Sequence, residues 1–64
     1  MISFSDLDKA LADRLAHDVD ADTRVKLSNE DMLLIAREYW DLVQEDHDGH
    51  WERLTIAIDK VCGE

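Results

Sequence analysis

Proline is absent from this chain of 64 residues and glycine occurs only at Gly49 and Gly63, so nothing except polar loops and caps interrupts a helix. Cysteine occurs once, at Cys62, which excludes an internal disulfide and fits a reducing cytosol. Cations are scarce: 7 Lys and Arg stand against 16 Asp and Glu, a net charge of −9. Such an acid excess repels nucleic-acid phosphates and anionic membrane surfaces, so the expected partner is a larger protein with a basic surface. No run approaches the roughly 20 apolar residues that span a bilayer. The opening Met1-Ile2-Ser3-Phe4-Ser5-Asp6 lacks the basic region and the continuous apolar stretch of a secretory signal. A cytoplasmic location is the resulting expectation.

Serine is also sparse, at positions 3, 5 and 28, and two of the three suit helix caps better than nucleophilic chemistry. There is no glycine-rich phosphate loop. A chain this short has little room for a preorganised site and its supporting residues, so neither an enzyme nor a cofactor is expected.

What the chain does have is apolar residues, 45% of the total beside 36% charged, which is too apolar for a disordered segment. Its acids are not gathered into a tail. Residues 1–22, 23–45 and 46–64 carry −4, −2 and −3, so the negative field belongs to one small helical domain over 1–64. A domain of this size has a thin stability margin, and with no disulfide to reinforce it, homodimerisation or partner binding is the expected support.

Three helices follow from caps and apolar spacing, near 5–17, 28–45 and 49–62. Ser5 can cap the first, with Asp6 and Asp8 in its positive first turn, and Phe4, Leu7, Ala10, Leu11 and Leu15 then share a face. Asp18-Val19-Asp20-Ala21-Asp22-Thr23 is rich in short acids that favour turns, which predicts a loop over 18–27. Ser28 with Asp31 three residues on reads as a capping box, and Leu27 and Met32 are spaced as a hydrophobic staple. Met32, Ile35, Ala36, Tyr39, Leu42 and Val43 then form the apolar stripe of the second helix. The third repeats the pattern with Trp51, Leu54, Thr55, Ile58, Val61 and Cys62 from a cap at Asp48 or Gly49, Cys62 counting as a small core residue. The fold class expected is therefore all-α, a three-helix bundle or a helical hairpin plus a third helix completed by homodimerisation. The alternative is a small α+β domain in which the β-branched 54–58 is a strand.

The residues expected to bind a partner lie on the second helix. Leu33 and Trp40 widen its stripe to about half the circumference, as a middle helix between two neighbours needs or as a second protein would use. Leu34 heads an acidic row with Glu38, Asp41 and Glu45 on the far side, and Asp41 and Glu45 crowd the negative end of the helix dipole. These six define an apolar helical face rimmed by carboxylates, suited to an adaptor or inhibitor that docks on a basic protein. A DNA-mimic inhibitor, its carboxylates standing in for phosphates, is the alternative.

Three smaller features carry expectations of their own. Arg14 falls among Leu7, Ala10 and Leu11, where its stem would cover the core edge, with Asp18 or a dimer partner as counter-ion. Asp18-x-Asp20-x-Asp22 starts as an EF-hand calcium loop does, but Thr23 stands where the sharp turn needs glycine and Asn29 where the bidentate glutamate belongs. A calcium module is thus a minor alternative. His47 and His50 with Asp46 and Asp48 lack the four converging ligands of a structural zinc site, so no metal site is expected.

Overall fold

The computed structural model describes residues 4–63. Residues 1–3 and 64 lie outside it, and with them half of the stretch weighed against a secretory signal. Four helices succeed one another, α1 (Asp6–Ala16), α2 (Ala21–Val25), α3 (Asn29–Gln44) and α4 (His50–Cys62), with no strand among the described residues. The segment 54–58 is thus helical: Leu54 and Ala57 face the core at helical spacing, and the strand alternative is corrected.

Both serine caps form as capping boxes. The Asp8 N–H donates to Ser5 Oγ at 3.2 Å while the Ser5 N–H donates to Asp8 Oδ2 at 3.1 Å. Ser28 and Asp31 repeat this at 3.1 and 3.2 Å, so each helix start has two otherwise orphaned donors satisfied. Each such cap contributes about 1 kcal/mol to its helix.

The loop expected over 18–27 contains α2. Asp20, in extended conformation, is its N-cap residue, and Asp22 stands in its positive first turn. The same preference of short acids for helix starts that suggests a turn thus begins a helix, and five residues are too few for apolar spacing to reveal it. None of the five is buried. Val19, just ahead of them, is buried and joins the core.

Helix α3 lies against both α1 and α4. A helix with neighbours on two sides needs a broad apolar face, and α3 supplies it with Met32, Ile35, Ala36, Tyr39 and Leu42, Ile35 and Ala36 having no exposed surface. Leu27 and Leu33 pack on the same cluster.

Helix α1 presents a different face from the one its leucines suggest. Ala12, Leu15 and Ala16 are buried, whereas Leu7 is 57% exposed and Ala10 is exposed, a rotation of about a quarter turn from the expected stripe. Asp8, on the inward side, meets Arg37 of α3. The rotation also moves Arg14 from the middle of the face to its exposed edge. Phe4 stays half-buried, its ring 4.9 Å from Arg37 Cζ.

On α4 the apolar template splits in the same way. Leu54 and Ala57 are buried and Val61 and Ile58 pack on the core, but Trp51, Thr55 and Cys62 are exposed. Six template positions span a wider arc than α3 alone can cover, so one edge faces solvent, and Cys62 is not a core residue. The helix starts at Gly49 (φ +92), which offers no side-chain cap, rather than at Asp48.

The chain leaves α3 through a left-handed residue. Asp46 has φ +60, the His47 N–H donates to the Leu42 carbonyl at 3.1 Å and the Asp46 N–H to that of Val43 at 3.1 Å, the bond pair of a Schellman turn. Glycine is the usual residue there, because a Cβ in this conformation costs about 1–2 kcal/mol, less for Asp than for most residues. Asp46→Gly should therefore raise unfolding stability by about 0.5–1 kcal/mol in urea titration. A loss of stability would show that the Asp46 carboxylate supports the turn.

Candidate functional site

The six expected partner residues do not form one face. Leu34, Glu38, Asp41 and Glu45 follow one side of α3, and Trp40 stands about 120° around the helix from Leu34. Glu38 is partly withdrawn from the acidic row because Lys60 Nζ of α4 lies 3.7 Å from its Oε2. Asp41 and Glu45 are exposed, and Leu34 is half-buried. Leu33 packs on the core and lines a recess of about 260 Å³ with Lys9, Ala12 and Asp13 of α1 and Arg24 of α2. Trp40 is 39% exposed. Its exposure is exceeded by that of Trp51 at the start of α4, 63%, which spacing had assigned to the core.

A chain of polar contacts joins α3, α4 and the end of α1 through residues that belong to no recognisable motif. Tyr39 is buried in α3, and its hydroxyl lies 2.8 Å from His50 Nδ1 at the start of α4. His50 Nε2 lies 2.8 Å from Asp18 Oδ2, just past the end of α1. Arg53 Nη2 donates to the Tyr39 oxygen at 3.4 Å, with the guanidinium 5.2 Å from the tyrosine ring centroid and Nη1 on the His47 carbonyl.

The hydrogen-bonding capacity of these groups fixes the direction of the chain. A carboxylate only accepts and a guanidinium only donates. With His50 neutral, its Nε2–H donates to Asp18, which leaves Nδ1 to accept from Tyr39 O–H, while Arg53 donates to the Tyr39 oxygen. Arg53 Nε is buried without a partner, the one such side-chain atom among the described residues. Beside the chain is a recess of about 360 Å³ lined by Leu11, Arg14, Leu15, Asp18, Tyr39 and His50. Asp18 therefore takes His50 as its partner in place of the expected Arg14.

The other carboxylates of the 18–22 loop are drawn apart. Asp20 Oδ2 accepts from Thr23 Oγ1 at 3.2 Å, and Asp22 belongs to the first turn of α2. His47 Nε2 is 3.8 Å from Glu52 Oε1. Among the described residues no three His, Cys, Asp or Glu come together to hold a metal ion. No helix among those residues is long and apolar enough to cross a membrane.

Signals for part of this arrangement were present in the sequence. A tyrosine inside an apolar stripe needs a partner for its hydroxyl, and His50 and Asp18 are groups able to supply one. Which of them would reach it depends on how α1, α3 and α4 meet. Comparison with protein-family models, curated proteins and solved structures returns no match, so the functional reading rests on this chain's own residues.

Two outcomes follow. Neutral His50 should carry its proton on Nε2 in long-range 1H–15N spectra, and Tyr39→Phe should cost about 1 kcal/mol by leaving His50 Nδ1 without its donor. A proton on Nδ1 would contradict the direction of the chain.

The second concerns Asp8, whose carboxyl is held below the ordinary value of 3.8 first by the Ser5 backbone N–H and then by Arg37, 3.3 Å away. Because the folded-state value is depressed, this contribution is complete above 3.8 and is lost as pH falls through the lower folded value. Asp8→Asn should flatten the acid limb of the stability profile in that range. An unchanged limb would show that other carboxylates set it.

Proposed function

We propose that this protein is a small acidic binding module, an adaptor or inhibitor, that docks exposed apolar side chains rimmed by carboxylates onto a basic surface of a larger protein. The observation that carries this reading is the placement of its tryptophans. The chain has four Phe, Tyr and Trp residues, and two of them, Trp40 and Trp51, stand exposed on a body of charge −9. Tryptophan supplies large, rigid contact area and is concentrated at interface centres, whereas a chain selected for solubility alone would bury it.

In this reading α1, α3 and α4 act as a three-helix bundle in a cytoplasmic setting, where Cys62 remains a free thiol. A homodimer is the competing way to cover the apolar side chains. Two bodies each carrying −9 repel, which favours a foreign basic partner over a second copy. The DNA-mimic alternative requires long rows of acids with little apolar area between them. Trp40 beside Asp41, and the pairing of Glu38 with Lys60, argue against such rows on α3.

A leucine–lysine peptide with leucines at i, i+3, i+4 and i+7 is a suitable probe of apolar docking, and polylysine is a probe of charge alone. The full-length protein should bind the first with a shift in tryptophan fluorescence, and should keep most of that affinity from low to moderate salt. Replacing both Trp40 and Trp51 by alanine should weaken it at least about tenfold. Equal binding of polylysine that collapses steeply with salt would overturn apolar docking in favour of phosphate mimicry.

A further inference from the structure

The outer side of α4 carries a largely apolar row that the other described elements cover only at Ile58. Trp51, Thr55, Ile58 and Cys62 recur at i, i+4, i+7 and i+11, so they stand above one another along the helix. Trp51, Thr55 and Cys62 are exposed, and Ile58 is half-buried at the edge where the row meets the core. The residues that hold α4 in the fold, Leu54, Ala57 and Val61, belong to a separate row. The indole of Trp51 is roughly perpendicular to the adjacent His50 ring, centroids 5.0 Å apart.

The fixed charges around the row are of one sign, with the titratable His47 imidazole 3.8 Å from Glu52 Oε1 beside them. Both cations of α4 turn toward α3, Arg53 onto Tyr39 and Lys60 onto Glu38. Glu52 and Asp59, seven residues apart and exposed, flank the row, and no Lys or Arg among the described residues pairs with either. Asp48, also exposed, precedes the helix. A largely apolar strip about three turns long, bordered by carboxylates and clear of Lys and Arg, is complementary to a helix that is apolar on one side and rich in Lys and Arg beside it.

We propose that this face of α4 is the docking surface and that its occupant is a basic amphipathic helix of a partner protein. The inference rests on the binding-module reading above and specifies both the surface and the ligand chemistry. The ligand's apolar side lies on Trp51, Thr55 and Ile58, and its cations reach Glu52 and Asp59. A second copy presenting the same face would set Glu52 and Asp59 against their own kind, which disfavours self-association through α4.

The test uses the full-length protein, the leucine–lysine peptide and calorimetric titration. Trp51→Ala and Thr55→Asp, both at exposed positions, should each weaken binding at least about tenfold, and each by more than Trp40→Ala does. Far-ultraviolet circular dichroism should show the same helix content in all three. Glu52→Lys with Asp59→Lys gives a second readout, a loss of affinity that shrinks as salt rises. If Trp40→Ala abolishes binding and the α4 variants do not, docking is on α3: this inference fails and the module reading stands. If the unaltered protein does not bind the peptide, both fail. A dimer in sedimentation that Thr55→Asp dissociates would place a second copy on the row and overturn the basic-helix proposal.

Discussion

The hydroxyl of Tyr39 is the polar group around which the helices are arranged. Its ring belongs to the apolar face of α3, and burying that ring brings an oxygen into the interior that must find partners there. It finds His50 and Arg53 from α4, and through His50 it reaches Asp18 at the end of α1. At the other end of α1, Asp8 joins Arg37, two residues from Tyr39 in the same helix. Both ends of α1 are thus tied to the middle of α3. Apolar packing favours α1 against α3 in many rotations, whereas these directional contacts are satisfied in few of them.

This constraint accounts for what could and could not be read along the chain. The starts of α1 and α3 were legible because a cap is a local event: Ser5 with Asp8 and Ser28 with Asp31 need only a spacing of three. The face of α3 was legible because a helix flanked on both sides buries most of its apolar residues, Met32, Ile35, Ala36, Tyr39 and Leu42 among them. Helix α1 has one main neighbour, and its exposed Leu7 and buried Ala12 and Ala16 reverse the order that side-chain size suggests. The exposure of Trp51 was hidden for a related reason. Periodicity reports which residues share a side of a helix, and the neighbour decides which part of that side is covered.

The cations show the same dependence on tertiary structure. Composition gives seven, but Arg37, Arg53 and Lys60 engage groups on other helices or on the turn before α4. The acids, by contrast, stand mostly outward, including Asp41 and Glu45 at the negative end of α3, where they weaken the helix that carries them. The field an approaching molecule meets is therefore set by position as well as by the net charge. On the outer side of α4 it coincides with exposed apolar area, the combination that the proposed docking surface requires.

Helix α2 has a different consequence. Its five residues bury none of their number, its cap residue makes no side-chain bond to the backbone, and Val25 is 85% exposed. Little holds it closed beyond a few backbone bonds, so it is the segment that local opening reaches at least cost. Arg24 and Lys26 lie within or directly after it, which makes the α1–α3 connection the natural point of tryptic cleavage in the folded protein. A nick there leaves α3 and α4 on one fragment, with the acidic row and the apolar strip of α4, and releases α1 with Asp18, the carboxylate that His50 needs.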